Sequence, residues 1–143
     1  MLLALSFTSC SKDDNKTVTP DVYKVSATMS SANEVPVNSS TASGTVTGSY
    51  DAGSNTLSYK VAWTGLTGTA SAGHFHSPAA AGVNAAPLVF FLLQNNGTSG
   101  TAEGSAQLSD AQEADLLAGK FYANIHTTVN SGGEIRGQVS AVK

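Results

Sequence analysis

The chain has three histidines, His74 and His76 in "GHFHS" and His126 in "FYANIHT". Neutral imidazole is the commonest protein ligand for zinc and suits copper equally well. Two histidines at i and i+2 of one strand project from the same face with backbones about 6.5–7 Å apart, so both rings can reach one ion at ligand distances of ~2 Å. Parity points the same way. Phe75 is the natural core residue between His74 and His76, while Phe121, Ala123 and Ile125 claim the core face of the later segment, leaving Tyr122, Asn124 and His126 opposite. The spacing admits two readings. One is a mononuclear copper or zinc site made by His74, His76 and His126 with an open position; the other is a set of solvated or hydrogen-bonding histidines.

Other chemistry-bearing residues are sparse. Arg136, the only arginine, lies in "GGEIRG" on the strand face shared with Glu134 and Gln138. It is expected to make a charge-assisted bond to a carboxylate across the sheet, or to steer anions toward a metal. Glu134 and Arg136 are thus the residues placed around the histidines rather than among the ligands. Glu134 is also expected to begin the last strand, and Glu34 in "SANEVPV" to mark a strand end. No G-x-S-x-G elbow, Walker-type loop or strand-linked G-x-G-x-x-G occurs, so no catalytic residue is assigned.

The elements that must carry these residues are strands. Charged residues are 12% of 143, against ~25% for an average globular protein, and the length suits one domain with one core. The net charge of −3 and the scattered basic residues offer no stripe for phosphates, which argues against a nucleic-acid partner. From residue 22 onward apolar residues recur at every second position, as in "VYKVSATMS" and "TLSYKVAW". "GTVTGSYD" and "TLSYKVAW" flank the turn "DAGSN" and predict a hairpin with Gly53 and Asn55 at positive φ. "PLVFFLL", residues 87–93, is continuously apolar and is expected to be buried on both faces or under a loop. One segment departs from period two: Ser109 with Gln112 three residues on, then Leu116, Leu117 and Gly119, predicts a short capped helix. An internal echo relates "SGTVTGSY" (43–50) to "SGTAEGSA" (99–106), read either as chance recurrence of small residues or as two similar halves.

The single cysteine, Cys10, follows a short apolar run and two small residues in "MLLALSFTSC". This resembles a bacterial lipoprotein signal, which implies removal of residues 1–9, acylation of Cys10 and a flexible tether over 10–21 before a domain spanning 22–143. The following "SKDD" is similar to the export signal of surface lipoproteins. The expected location is the outer membrane or cell surface, with the membrane as partner through the lipid anchor. With one cysteine, no disulfide within the domain is expected.

Taken in order, "SSANEVP", "GTVTGSYDAGSNTLSYKVAWTGLTG", "AGHFHSPAAAGVNAAPLV", "LSDAQEADLLAGKFYANIHT" and "NSGGEIRGQV" resemble the CHRD (chordin-type) domain over about residues 22–141. The resemblance implies an all-β fold: an immunoglobulin-like or superoxide-dismutase-like Greek-key β-sandwich or barrel with one short helix. The dismutase likeness would match His74, His76, His126 and Arg136 to copper-site positions, but no histidine remains for a bridging ligand or a second metal, so full dismutase activity is not expected. The family implies no settled activity; together with the lipoprotein-like signal, the expectation is a cell-envelope or surface-anchored binding module, with an extracellular protein or a metal as candidate ligand. The alternatives are a mononuclear copper or zinc protein using His74, His76 and His126, and a structural or adhesive envelope domain.

Overall fold

A computed structural model describes residues 21–143, and the proposed signal, Cys10 and most of the tether lie outside the described residues. Ten strands form one curled antiparallel sheet: β1 (Val22–Ser30), β2 (Ser43–Asp51), β3 (Thr56–Thr64), β4 (Ala70–His76), β5 (Pro87–Phe90), β6 (Leu93–Gln94), β7 (Gly100–Gln107), β8 (Tyr122–Thr127), β9 (Ile135–Gln138) and β10 (Ser140–Val142). Their order is β5-β4-β8-β9-β1-β2-β3-β7-β6, with β10 also paired to β1. The expected all-β architecture with one short helix is what the chain adopts. No helix among the described residues is long and apolar enough to cross a membrane.

Curling the sheet encloses the alternate apolar residues that the period-two pattern supplies. Val25, Met29, Val46, Leu57, Val61, Phe75, Phe121, Ile125 and Ile135 are all buried there. Phe75 anchors an aromatic cluster, edge-on to Tyr59 at 5.1 Å and to Phe91 at 4.9 Å, which ties β4 to β3 across the interior. Because Phe75 points inward, His74 and His76 on either side of it must point to the opposite face.

The echo between β2 and β7 has a packing reason. Both strands pair with β3, and the register sets Gly44 and Gly100 on either side of Trp63, and Gly48 and Gly104 on either side of Tyr59. A methyl group at Gly100 would strike the Trp63 ring, and one at Gly104 would meet the Tyr59 hydroxyl at 2.6 Å. The two glycines of β7 therefore clear space for the two large aromatics of β3, whereas in β2 Gly44 clears space for Met29 and Ile135 and Gly48 lies against the β3 backbone.

The β2–β3 hairpin forms where expected, but of its turn residues Asn55 takes positive φ (52°) and Gly53 does not. The apolar run at 87–93 is not enclosed as expected. It runs through the edge strands β5 and β6, so Phe90 and Leu92 are 68% and 78% exposed, Leu88, Val89 and Leu93 pack only partly buried against the core, and Phe91 alone is buried. The last strand is broken at Val139, which lets β9 pair with β8 and β10 with β1.

The helix α1 (Asp110–Leu117) begins with the predicted capping box: Ser109 Oγ accepts from the Gln112 N–H, and the Gln112 side chain accepts from the Ser109 N–H. Only Leu116 is fully buried, so α1 docks by one anchor. Ser109→Ala should lower stability by about 1 kcal/mol, read as a shift in the urea midpoint. A change below ~0.3 kcal/mol would show that docking, rather than the cap, holds the helix.

Candidate metal centre

The face of the sheet turned away from the core carries a row of polar side chains fixed by strand register. On β4 and β8, His74 pairs with Asn124, His76 with Tyr122 and Ala72 with His126, and Asn124 pairs onward with Arg136 of β9. Directly paired residues of an antiparallel ladder project from the same side, so the three histidines, Tyr122, Asn124 and Arg136 share one face. Loops close over this face from both sides. A 3-10 turn (Ser31–Asn33) leads into Glu34, and the segment after β4 brings Asn84 and Ala85, with Asn84 donating to the Val35 carbonyl between the loops.

The structure brings His74, His76 and His126 together. One nitrogen from each ring lies within 4.8 Å of the others, and the rings of His76 and His126 sit 5.3 and 5.1 Å from that of His74. Among the described residues no other group of three His, Cys, Asp or Glu offers such a cluster. An ion holding nitrogens at ~2.0–2.1 Å in tetrahedral geometry sets them ~3.3–3.4 Å apart, so the observed spread requires small ring rotations.

Ring orientation follows from the carbonyls behind. His76 Nδ1 donates to Ala85 O and His126 Nδ1 to Ser131 O, each at 2.9 Å. The main-chain carbonyls can only accept and cannot turn over, whereas the Asn124 amide can, so the proton is assigned to Nδ1, which turns the Nε2 lone pair inward. Zinc-site histidines are oriented by the same kind of outer partner. The inward Nε2 atoms of His76 and His126 lie 3.0 and 3.1 Å from Asn124 Oδ1. His74 Nδ1 is buried with no hydrogen-bond partner, an uncommon and costly state for a polar atom. Burial, together with the nearby His126 and His76, pulls the His74 pKa down to about 4, and burial also lowers that of His76. Both rings are therefore held in the neutral, ligating form. The donor set fits copper or zinc.

Glu134 and Arg136 lie on the face turned away from the core, as expected, but loops cover them there and leave them 0% and 1% exposed. Neither hydrogen-bonds a histidine directly; each braces one of the carbonyls. Glu134 accepts from Ser40 Oγ, Thr67 N, Thr67 Oγ1, Thr127 Oγ1 and Asn130 Nδ2, at 2.7 to 3.1 Å, fixing the turn that carries Ser131. Burial by itself would raise its pKa, but these donors outweigh burial and bring it to about 2. Among the described residues Arg136 makes no ion pair of the kind expected. It donates to Val83 O and Asn84 Oδ1, fixing the loop that carries Ala85, and lies 3.4 Å over the Tyr122 ring. Tyr122 in turn stacks on His76 at 4.4 Å. The short loop oxygens at Val83 and Asn84 reach the guanidinium where no carboxylate does.

Sequence reasoning placed Tyr122 and Asn124 on the histidine face without giving them a task. Glu34, read as a strand end, is 3% exposed, and its Oε1 has no hydrogen-bond partner. Burial raises its pKa, opposed by the Val35 N–H, by Arg136 and His126, and by the Asn124 amide. Gly133, at φ +123°, lets the backbone pass beside Glu34 and Asn124 Nδ2, where any side chain would collide. Strand parity was the available signal for Asn124, whereas Glu34 reaches the site through a loop that has no period.

The fold and this face define an all-β domain with a covered three-histidine cluster. Comparison with protein-family models matches the CHRD domain over residues 25–139, and the chain belongs to that family. Comparisons with curated proteins and with solved structures returned no match.

Proposed function

We propose that this CHRD domain is a binding module that holds one copper or zinc ion through His74, His76 and His126. One observation carries the reading: three imidazole nitrogens converge within 4.8 Å, and main-chain carbonyls hold the Nδ1 protons of two of them away from the point of convergence. Three histidines leave a fourth coordination position to be filled. The lipoprotein-like "MLLALSFTSC" supports delivery of the module to the envelope on an acylated Cys10, with the membrane as its anchor.

Calorimetric titration of the metal-free chain tests the proposal. One equivalent of zinc or copper should bind with a dissociation constant below about 1 μM, a free energy of roughly −8 kcal/mol or better. Neither ion binding at that strength sinks it. A second reading, capture of an extracellular protein, draws on Phe90 and Leu92, exposed together at the β5 edge with Phe90 4.7 Å from the His74 ring.

A further inference from the structure

We propose that Asn124 Oδ1 is the fourth protein ligand of the ion held by His74, His76 and His126, a proposal that rests on the metal-site reading above. The observation is a shortage of protons. His76 and His126 each face two acceptor oxygens, a main-chain carbonyl at Nδ1 and the shared Asn124 Oδ1 at Nε2. A neutral imidazole has one N–H, and both are committed to Ala85 O and Ser131 O. Two Nε2 lone pairs and an amide oxygen therefore point at one another at 3.0 and 3.1 Å with nothing to share. Protonating both rings would supply the donors only by setting two imidazolium charges against one atom. A cation between the three atoms satisfies all of them at once.

The distances suit that arrangement. Ligands held ~2.0–2.2 Å from one ion, at angles between about 90° and 110°, stand ~2.9–3.5 Å apart, and both nitrogen–oxygen separations fall in that interval. Register places Asn124 at the centre: it is the direct partner of His74 across the β4–β8 ladder and two residues before His126 on β8. The orphaned Nδ1 of His74 supplies the remaining nitrogen. Turning the amide over would let Nδ2 donate to both rings, but it would bring Oδ1 to the side of the Glu34 carboxylate, which borders Gly133 together with the present Nδ2. Glu34 thus favours the orientation that presents oxygen to the histidines. An amide oxygen is a neutral ligand, so a divalent ion with three imidazoles and Asn124 keeps its full charge, which the buried Glu34 carboxylate behind the amide can offset.

The test compares the full chain with Asn124→Ala and Asn124→Asp, measuring zinc affinity by chelator competition and coordination by the visible absorption of bound cobalt(II). Loss of the oxygen in Asn124→Ala should weaken zinc by more than the ~10- to 100-fold typical of losing an outer partner and change the cobalt bands. Asn124→Asp should hold zinc at least as tightly as the parent, with bands displaced because a carboxylate oxygen has replaced an amide oxygen. Parental affinity and an unchanged cobalt spectrum in the Ala variant would overturn the proposal while leaving the three-histidine site standing. If the Ala variant does not fold, unmoved bands in the Asp variant overturn it equally. A parent chain that binds neither zinc nor cobalt removes the metal-site reading itself.

Discussion

Glu134→Ala should cost this domain about 4 kcal/mol of stability and lower its melting temperature by roughly 12–15 °C. The side chain is wholly buried and accepts five hydrogen bonds, from Ser40, Thr67 (two), Thr127 and Asn130. Truncation leaves those donors facing a void, and each buried unsatisfied donor costs about 1–3 kcal/mol, reduced where the loops relax or water enters. For a domain of this size 1 kcal/mol corresponds to about 3–4 °C. The carboxylate also writes a pH dependence. Its pKa is about 2 in the fold and near 4.5 when unfolded, so the unfolded chain binds the proton more tightly. The stabilisation is complete above pH 4.5 and disappears as pH falls toward 2, a difference of about 3 kcal/mol. Urea unfolding of the parent and of Glu134→Gln at pH 7 and pH 2.5 isolates this contribution. The parent should lose about 3 kcal/mol more than the variant between the two pH values, and equal losses would show that the network does not depend on the charge.

That a glutamate ranks with the core in importance could not be read from "GGEIRG". Its partners come from loops at residues 40 and 67 and from the end of β8 with the turn after it, 127–130, brought together only by closure of the sheet. The strands themselves were legible because period two is local: Phe75 between two histidines, and Phe121, Ala123 and Ile125 on alternate positions, already assign the faces of β4 and β8. Parity also collected His74, His76 and His126 on one side. It could not tell an exposed face from a covered one. Glu134 and Arg136 could be placed on a strand face and Glu34 at a strand end, but nothing in the period showed that loops cover all three. The apolar run at 87–93 misleads for the complementary reason: hydrophobicity signals burial, but a strand at the sheet edge has no neighbour to cover Phe90.

The same two loops decide what His76→Ala should do. Of the three rings, His76 is the most constrained. Its Nδ1 is tied to Ala85 O, its face is stacked on Tyr122, and Tyr122 is pressed by Arg136, which also anchors the Val83–Asn84 segment just before Ala85. The ring therefore meets an ion with its orientation already set, so little rotamer entropy remains to be lost on binding. Removing it deletes one of three nitrogen ligands and the best-oriented one. Zinc affinity should fall by roughly 1000-fold, more than the ~10- to 100-fold typical of losing an outer partner. Thermal unfolding gives an independent reading. Zinc at 100 times its dissociation constant should stabilise the parent by about 2.7 kcal/mol, a rise of roughly 8–10 °C, and the same zinc concentration should leave His76→Ala within about 1 °C of its metal-free value. Because the alanine lies on the face away from the core, where Phe75 keeps its packing with Tyr59 and Phe91, the metal-free variant should melt cooperatively within a few degrees of the metal-free parent. A variant that folds this well and still binds zinc within tenfold of the parent would exclude His76 from the site.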